Sequence, residues 1–199
     1  MKLIPNHITT SLVVIGKPEN VKRFVSEAFV QPGQPYVDTE PDAINNKGIP
    51  LLDFERIIQP PANIERGGCP GGAVNGIHSE TGEVCWYDWN HEHWNTKWNC
   101  YSHDHFQLRW LREYSRTGEG EVYGRLDLRF DTAWAQPTAI LSTIEERWDL
   151  KCHAVSQDEG GFPDTLFGDP YGEEVVNRVV TIEFDSYDTE VDEPAEVSK

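Results

Sequence analysis

Apolar and polar residues alternate along several segments of the chain, a pattern typical of strands with one buried face. Four segments show it: 7–15, 123–131, 150–156 and 175–184. The pattern is clearest in the second segment, where Leu126, Leu128 and Phe130 alternate with charged residues. In the first, Ile8 and Leu12 fall on one side, with Val14. These segments predict four strands.

Two other segments have the spacing of amphipathic helices. Residues 18–30 place Val21, Phe24, Val25 and Ala28 on one stripe, and Pro18 suits the first helical position. The second helix opens at Pro137, and its apolar stripe is Ile140, Leu141, Ile144 and Trp148. Each helix therefore has one face to bury against a sheet.

The middle of the chain is less regular. Residues 31–50 are rich in Pro, Gly, Asn and Asp and predict a long loop, after which 51–58 form an apolar island that docks on the core. The glycines of 66–82 lack the flanking strand, helix and Lys-Ser/Thr of a phosphate loop, so we interpret this segment as a flexible loop. A turn is predicted at 117–121.

Residues 85–105 concentrate large side chains and possible ligands. They hold four of the seven tryptophans, four of the seven histidines and two of the four cysteines. Residues 86–98 have helix-compatible spacing, with Trp94 and Trp98 as an i, i+4 pair, and a strand is expected near 98–102. Since each indole buries a large area, this stretch is expected to form the centre of a core.

Together the elements predict an α+β fold, with an antiparallel sheet, two helices on one face and a Trp-rich insertion. Their order approximates the ferredoxin-like split β-α-β arrangement. We expect a single domain over 1–185, with a loop insertion at about 31–120, and an acidic disordered tail over 186–199.

The net charge of −17 is unevenly distributed. Residues 158–199 hold 13 acidic and two basic side chains, so they account for −11 of it. This charge opposes direct nucleic-acid binding, which needs Lys and Arg, and favours basic partners. The chain lacks a secretory pattern and a membrane-length apolar run, so we expect a cytoplasmic protein. Its cysteines would then be reduced thiols, although their even number also permits pairing.

Several short segments resemble one family. They are Asn6-His7, Phe54–Pro61, His93–Asn99, Phe130–Trp134 followed by Pro137, and Glu159–Phe162. In these the chain is similar to the YubB-like ferredoxin-like domain family of plasmids, phages and other mobile elements. The resemblance covers 5–185 and implies a fold and a mobile-element setting, without a catalytic residue. The chain differs at Asn95, where the family usually has Gly, and at the Cys100 and His103–His105 flank.

The motifs supply the candidate contacts with a ligand or partner: Trp94, Lys97, Trp98, Asn99, Asp131 and Trp134. The alternative interpretation is that these tryptophans belong to the hydrophobic core. Lys97 and Asp131 suit either a structural ion pair or an acid–base pair. The candidate zinc ligands are His91, His93, His103 and His105, of which the last two would share one face of a strand.

Three functions remain open at this point. The first is a non-enzymatic acidic binding protein of a phage or plasmid that acts on a host protein, as an inhibitor or DNA mimic. The second is a metal-dependent enzyme that uses the His/Cys cluster at 85–105. The third is a small-molecule or nucleotide binding module. The oligomeric state is left open.

Overall fold

A largely antiparallel sheet and four helices make up the part of the chain that the computed structural model describes, which is 6–35, 45, 47–65, 73–74, 77–78, 84–115, 118–169 and 180–182. In chain order the elements are β1 His7–Gly16, α1 Pro18–Ala28, β2 Phe29–Val30, β3 Leu51–Leu52, α2 Phe54–Ile57, β4 Ile64–Glu65, β5 Ala73–Val74, β6 Ile77–His78, β7 Val84–Cys85, α3 Trp86–Trp94, β8 Tyr101–Ser115, β9 Gly118–Ala133, α4 Thr138–Trp148, β10 Lys151–Asp158, β11 Thr165–Phe167 and β12 Val180–Ile182. The predicted α+β class is therefore confirmed.

The main sheet has the strand order β11-β10-β1-β9-β8-β12, and all of its neighbouring pairs are antiparallel. β1 lies in the centre because it pairs with β10 on one side and with β9 on the other. A second sheet has the order β4-β7-β6-β5 and includes a parallel β4–β7 pair, and β2 pairs with β3.

Alternation along the strands separates a buried face from an outer face, as the sequence predicts. Ile8, Leu12 and Val14 of β1 are buried, as are Leu126, Leu128 and Phe130 of β9. Thr10 shares the buried face, where its hydroxyl lies 2.8 Å from that of Ser156. The outer row of β9 is Arg125, Asp127, Arg129 and Asp131.

All four helices contribute buried side chains to one apolar core with the sheet. α1 buries Val21, Phe24 and Ala28, and α4 buries the four residues of its predicted stripe. Glu27 of α1 accepts a hydrogen bond from the Trp148 indole at 3.0 Å, so a polar contact also links these two helices. The short α2 places Phe54 and Ile57 in the core, as expected for the apolar island.

The strand β8 contains an irregularity close to its start. Tyr101 pairs with Asp131 and His105 with Arg129, so four positions on β8 match two on β9. Ser102 has the left-handed φ of 53° within this bulge. Extra residues within a bulge leave the regular ladder, so their side chains can point to a different face from the one that alternation assigns. His103 is consequently buried against Phe130, whereas His105 is exposed on the outer face.

Several local predictions are wrong in detail. α3 ends at Trp94, because Asn95 takes a left-handed conformation with φ 60°, so Trp98 is not its helical i+4 partner. Gly118–Glu121 are strand residues rather than a turn, and the segment predicted as loop at 66–82 contains β5 and β6. Residues 101–115, inside the predicted insertion, form a strand of the main sheet. The predicted tail at 186–199 lies outside the described residues.

Candidate functional site

Hydrogen bonds to backbone carbonyls bring several of the family-like segments together at one end of the main sheet. The Trp134 amide donates to the Asn6 carbonyl at 3.0 Å, and the Glu159 amide donates to the His7 carbonyl at 3.1 Å. The Thr96 hydroxyl donates to the Ala133 carbonyl at 2.9 Å. Four of the five segments, far apart in the sequence, therefore meet here.

At their centre is a group of three side chains, Lys97, Trp98 and Trp134, which we call the lysine–indole cluster. The Lys97 ammonium lies 4.6 Å from the Trp98 ring centroid and 4.5 Å from the Trp134 ring centroid. Both distances are suited to cation–π attraction. All three side chains are half-buried, so each keeps a surface that a ligand or partner can contact.

The position of Lys97 differs from the ion pair that the sequence suggested. The Asp131 carboxylate accepts a hydrogen bond from the Thr9 hydroxyl at 2.7 Å, across the β1–β9 pair. Within the described residues no ion pair joins Lys97 to Asp131. Aromatic faces, rather than a carboxylate, hold the ammonium.

Trp134 itself is held in an unusual conformation. Its φ is 76°, which is uncommon for a bulky residue. The His91 ring stacks against the indole at 5.5 Å between centroids and 22° between planes, and Tyr87 contacts it edge-on at 6.0 Å. Backbone strain of this kind is held in place by the surrounding contacts, and it occurs often at functional sites.

Tyr101 and His7 form a polar contact beside the cluster. The His7 Nδ1 lies 2.6 Å from the Tyr101 hydroxyl, which also donates to the Thr132 carbonyl at 3.3 Å. Burial raises the pKa of Tyr101 to about 12, and the negative charges of Asp131 and Glu159 act in the same direction. Tyr101 therefore remains a neutral hydroxyl at physiological pH, and its pKa is far from that of an effective acid–base group there.

Two of the candidate contact residues are used inside the fold. Trp94 is buried, and its indole donates to the Ile58 carbonyl at 3.0 Å. Asn99 accepts from the Phe54 amide at 2.9 Å and donates to the Asp53 carboxylate at 2.8 Å, so it fixes the start of α2. The core interpretation thus holds for Trp94, whereas Trp98 and Trp134 are partly exposed.

The four candidate zinc ligands are separated. His93 stacks on Trp89 at 4.4 Å and bonds through Nδ1 to the Trp89 carbonyl at 2.9 Å, whereas His91 packs on Trp134. His103 and His105 lie on opposite faces because of the β8 bulge, so the expectation that they share a face is wrong. Among the described residues, no three His, Cys, Asp or Glu side chains are grouped closely enough to hold a metal ion.

The cysteines divide into two kinds. Cys100 and Cys152 are buried thiols outside any disulfide, and burial, together with the charge of Glu145, raises the pKa of Cys152. Cys85, by contrast, is disulfide-bonded, so the expectation of reduced thiols fails there. Disulfides are rare in the cytosol, and Cys85 therefore does not support the expected cytoplasmic location.

A cavity of about 240 Å³ adjoins the lysine–indole cluster and is lined in part by Asn95, Trp134, Gln136, Asp158 and Phe162. Gln136 is only 4 % exposed, and within the described part of the chain its Oε1 has no hydrogen-bond partner. A second cavity, of about 320 Å³, opens on the outer sheet face beside Asp104, His105 and Arg129.

Sequence reasoning missed several residues of this region. Tyr101, Gln136 and Asp158 belong to none of the candidate sets, and His7 entered only as part of a motif. Their positions depend on β-register and on the turn between β9 and α4, neither of which is visible in local patterns. One signal was available, since each of them lies inside a family-like segment or within two residues of one.

Comparison with known proteins gives no match to this chain among protein-family models, curated proteins or solved structures. In the described part of the chain, none of the helices combines the length and apolar character needed to cross a membrane.

Proposed function

We propose that the fold is ferredoxin-like and that the chain belongs with the YubB-like domains of mobile elements. The support for the fold is topological. When the strands β1, β8, β9 and β10 are numbered 1 to 4 along the chain, their order in the sheet is 4-1-3-2. α1 follows the first of these strands and α4 follows the third, as in the ferredoxin-like arrangement. Residues 31–100, which separate α1 from β8, carry the Trp-rich helix α3 as an insertion in this arrangement. Fold alone does not specify function, so the functional argument depends on the site.

We further propose that the protein is a non-enzymatic binding protein of a phage or plasmid, and that it acts on a host protein. The lysine–indole cluster is the observation that carries this proposal. Trp and Tyr are enriched among residues that dominate protein–protein binding, because they bury a large area and lose little conformational entropy. Trp98, Tyr101 and Trp134 are partly exposed, and the contacts described above already fix them in place.

The charge of the chain specifies the kind of partner. The −11 of residues 158–199 favours a basic surface, such as that of a defence or nucleic-acid-handling protein. The carboxylates of this segment would then occupy a surface that normally binds nucleic acid, as an inhibitor that mimics DNA does.

A capture experiment with matched variants tests this function. Trp98→Ala removes one ring of the cluster, and Val122→Ala, an exposed residue of β9 outside the cluster, is the control. The immobilised wild-type protein and the control should retain the same host protein at low salt and release it at high salt, and Trp98→Ala should retain much less. Equal recovery by both variants, or retention that salt does not affect, would contradict the proposal.

The cavity beside Trp134 favours one second candidate, a small-molecule or nucleotide binding module. A ligand there would contact the indole directly, so binding should change the tryptophan fluorescence. Titration with a panel of nucleotides measures this, and a flat response across the panel removes the nucleotide version.

A further inference from the structure

Gln136 lines the cavity beside Trp134, and the orientation of its side-chain amide is fixed. The Gln136 amide nitrogen donates to the Ser156 hydroxyl at 2.9 Å and to the Thr165 carbonyl at 3.1 Å. A carbonyl can only accept, so the nitrogen must face Thr165 and the amide cannot be reversed. Oε1 therefore points elsewhere and, although buried, has no donor among the described residues.

The same cavity carries one negative charge. Asp158 lines it, and its carboxylate accepts from the Asn6 side chain and from the Gly160 amide. Two carboxylate oxygens offer about four acceptor positions, so two remain for a ligand. Among the residues that the structure describes, the lining includes no Lys or Arg, and Glu159 and Asp164 lie on the same loop.

Flat and apolar surfaces complete the cavity. Phe162 lines it although 69 % of this residue is exposed, and Pro163 follows. In the described part of the chain, Lys97 lies nearby over Trp134 and is not part of the lining. The bound group should therefore be flat, rich in N–H donors and positively charged.

From the unpartnered Gln136 acceptor, the Asp158 carboxylate and the Phe162 wall, we propose that this cavity binds the guanidinium group of an arginine side chain. A guanidinium is planar, donates in a fork that matches a carboxylate, and stacks on aromatic rings. An ammonium group has the charge but lacks the flat shape. The inference rests on the proposed function for the source of the arginine, which is the basic host partner.

The test uses capped arginine, N-acetyl-L-arginine methylamide, titrated into the full-length protein and followed by NMR at the Gln136 side-chain amide. Capped citrulline, its neutral isostere, should bind about tenfold more weakly because it lacks the charge. Methylguanidinium, a free guanidine compound, should bind no more tightly than capped arginine. Equal binding of arginine and citrulline, no saturable shift with arginine, or a preference for methylguanidinium would each overturn the proposal.

Variants locate the binding. Asp158→Asn should weaken capped arginine about tenfold, whereas Asp164→Asn, on the same loop but outside the lining, should leave it within about twofold. Gln136→Met, followed at the Trp134 indole N–H because the amide signal is then absent, should also weaken it, with thermal unfolding used to confirm that the variant is folded. Equal effects of the two Asp variants would place the ligand elsewhere. The titration needs no partner protein, so a failed capture experiment and a failed titration remain distinguishable.

Discussion

At the scale of single residues, Lys97 and His91 show how neighbouring groups affect a titratable side chain in the candidate site. Lys97 is held by two indoles rather than by a carboxylate, and its field reaches the neighbouring His91. Desolvation is the largest influence on His91 and lowers its pKa, Asp88 raises it, and Lys97 lowers it again. These opposed influences can be separated by substitution.

Lys97→Met should raise the pKa of His91, because it removes a positive charge that opposes protonation. Asp88→Asn should lower the pKa of His91 for the opposite reason. An NMR titration of the His91 ring protons measures both, and His105, on the outer sheet face, is the internal control. A shift of the same sign in both variants would show that desolvation changed instead of charge.

Asn95 is one of the two places at which the chain differs from the family pattern that its motifs resemble, and the structure shows which backbone conformation this residue adopts. Its φ of 60° is left-handed, a conformation that Gly and Asn adopt most readily. Asn95 also donates to the Gln136 carbonyl at 2.9 Å, which a glycine cannot do. The substitution therefore keeps the turn and adds a link to the cavity wall.

Asn95→Ala should destabilise the protein by about 1 kcal/mol more than Asn95→Gly, since both lose the hydrogen bond and only Ala incurs the left-handed backbone cost. Chemical denaturation of the two variants gives this difference directly. If Ala were as stable as Gly, the residue would not hold its left-handed conformation in solution.

At the scale of elements, α1 packs closely on β9 at Gly124. A Cβ built on Gly124 would lie 2.7 Å from the Trp110 ring and 2.9 Å from a Val21 methyl, closer than such contacts permit. Gly124→Ala should therefore cost about 1–3 kcal/mol in unfolding free energy. In a Trp110→Leu background the cost should fall, and a double-mutant cycle measures the difference. Strict additivity would mean that the ring does not limit the contact.

A charged link joins β8 and β9 on the outer face. Asp127 accepts from Arg109 at 2.6 Å and from Arg125 at 2.7 Å. Burial alone would raise the pKa of Asp127, but the hydrogen bonds and charges of the two arginines outweigh it and lower that pKa. The carboxylate therefore adds stability above its unfolded pKa, near 3.9. That stability is lost as the pH falls toward the lower folded value.

Asp127→Asn should be less stable than the wild type at pH 7, and the difference should shrink as the pH falls below about 4, because the wild type then loses the same charge. Denaturation midpoints across this pH range measure it, with Asp104→Asn as an exposed control. A difference that stays constant down to pH 2 would mean that the ionised form of Asp127 contributes nothing.

Local patterns predicted the elements far better than they predicted the site. The buried rows of β1, β9, α1 and α4 followed from spacing alone, because period 2 and period 3.6 are properties of consecutive residues. The faces on which His103 and His105 lie could not be predicted in this way, because the β8 bulge interrupts the alternation of side chains. The Gln136 cavity also depends on contacts between segments far apart in the sequence.

At the scale of the whole molecule, the net charge of −17 opposes compactness through self-repulsion. Raising the salt concentration from about 20 to 200 mM should increase the Tm, since the Debye length then falls below the distances between surface charges. A variant that ends at residue 185, which removes five acids and Lys199, should show a smaller increase. Calorimetry measures both, and an equal increase would mean that residues 186–199 do not contribute to the repulsion.

The backbone bonds of Asn6 and His7 have a practical consequence. They hold the beginning of β1 against Trp134 and Glu159, at the margin of the cavity. A polyhistidine purification handle attached ahead of Met1 would be tethered to this margin by only five residues, 1–5. At a pH near the pKa of its imidazoles, part of such a handle is protonated and cationic, so it would compete with an arginine side chain for the carboxylates there. A handle placed after Lys199, 17 residues beyond β12 at the far edge of the main sheet, is not tethered to this margin.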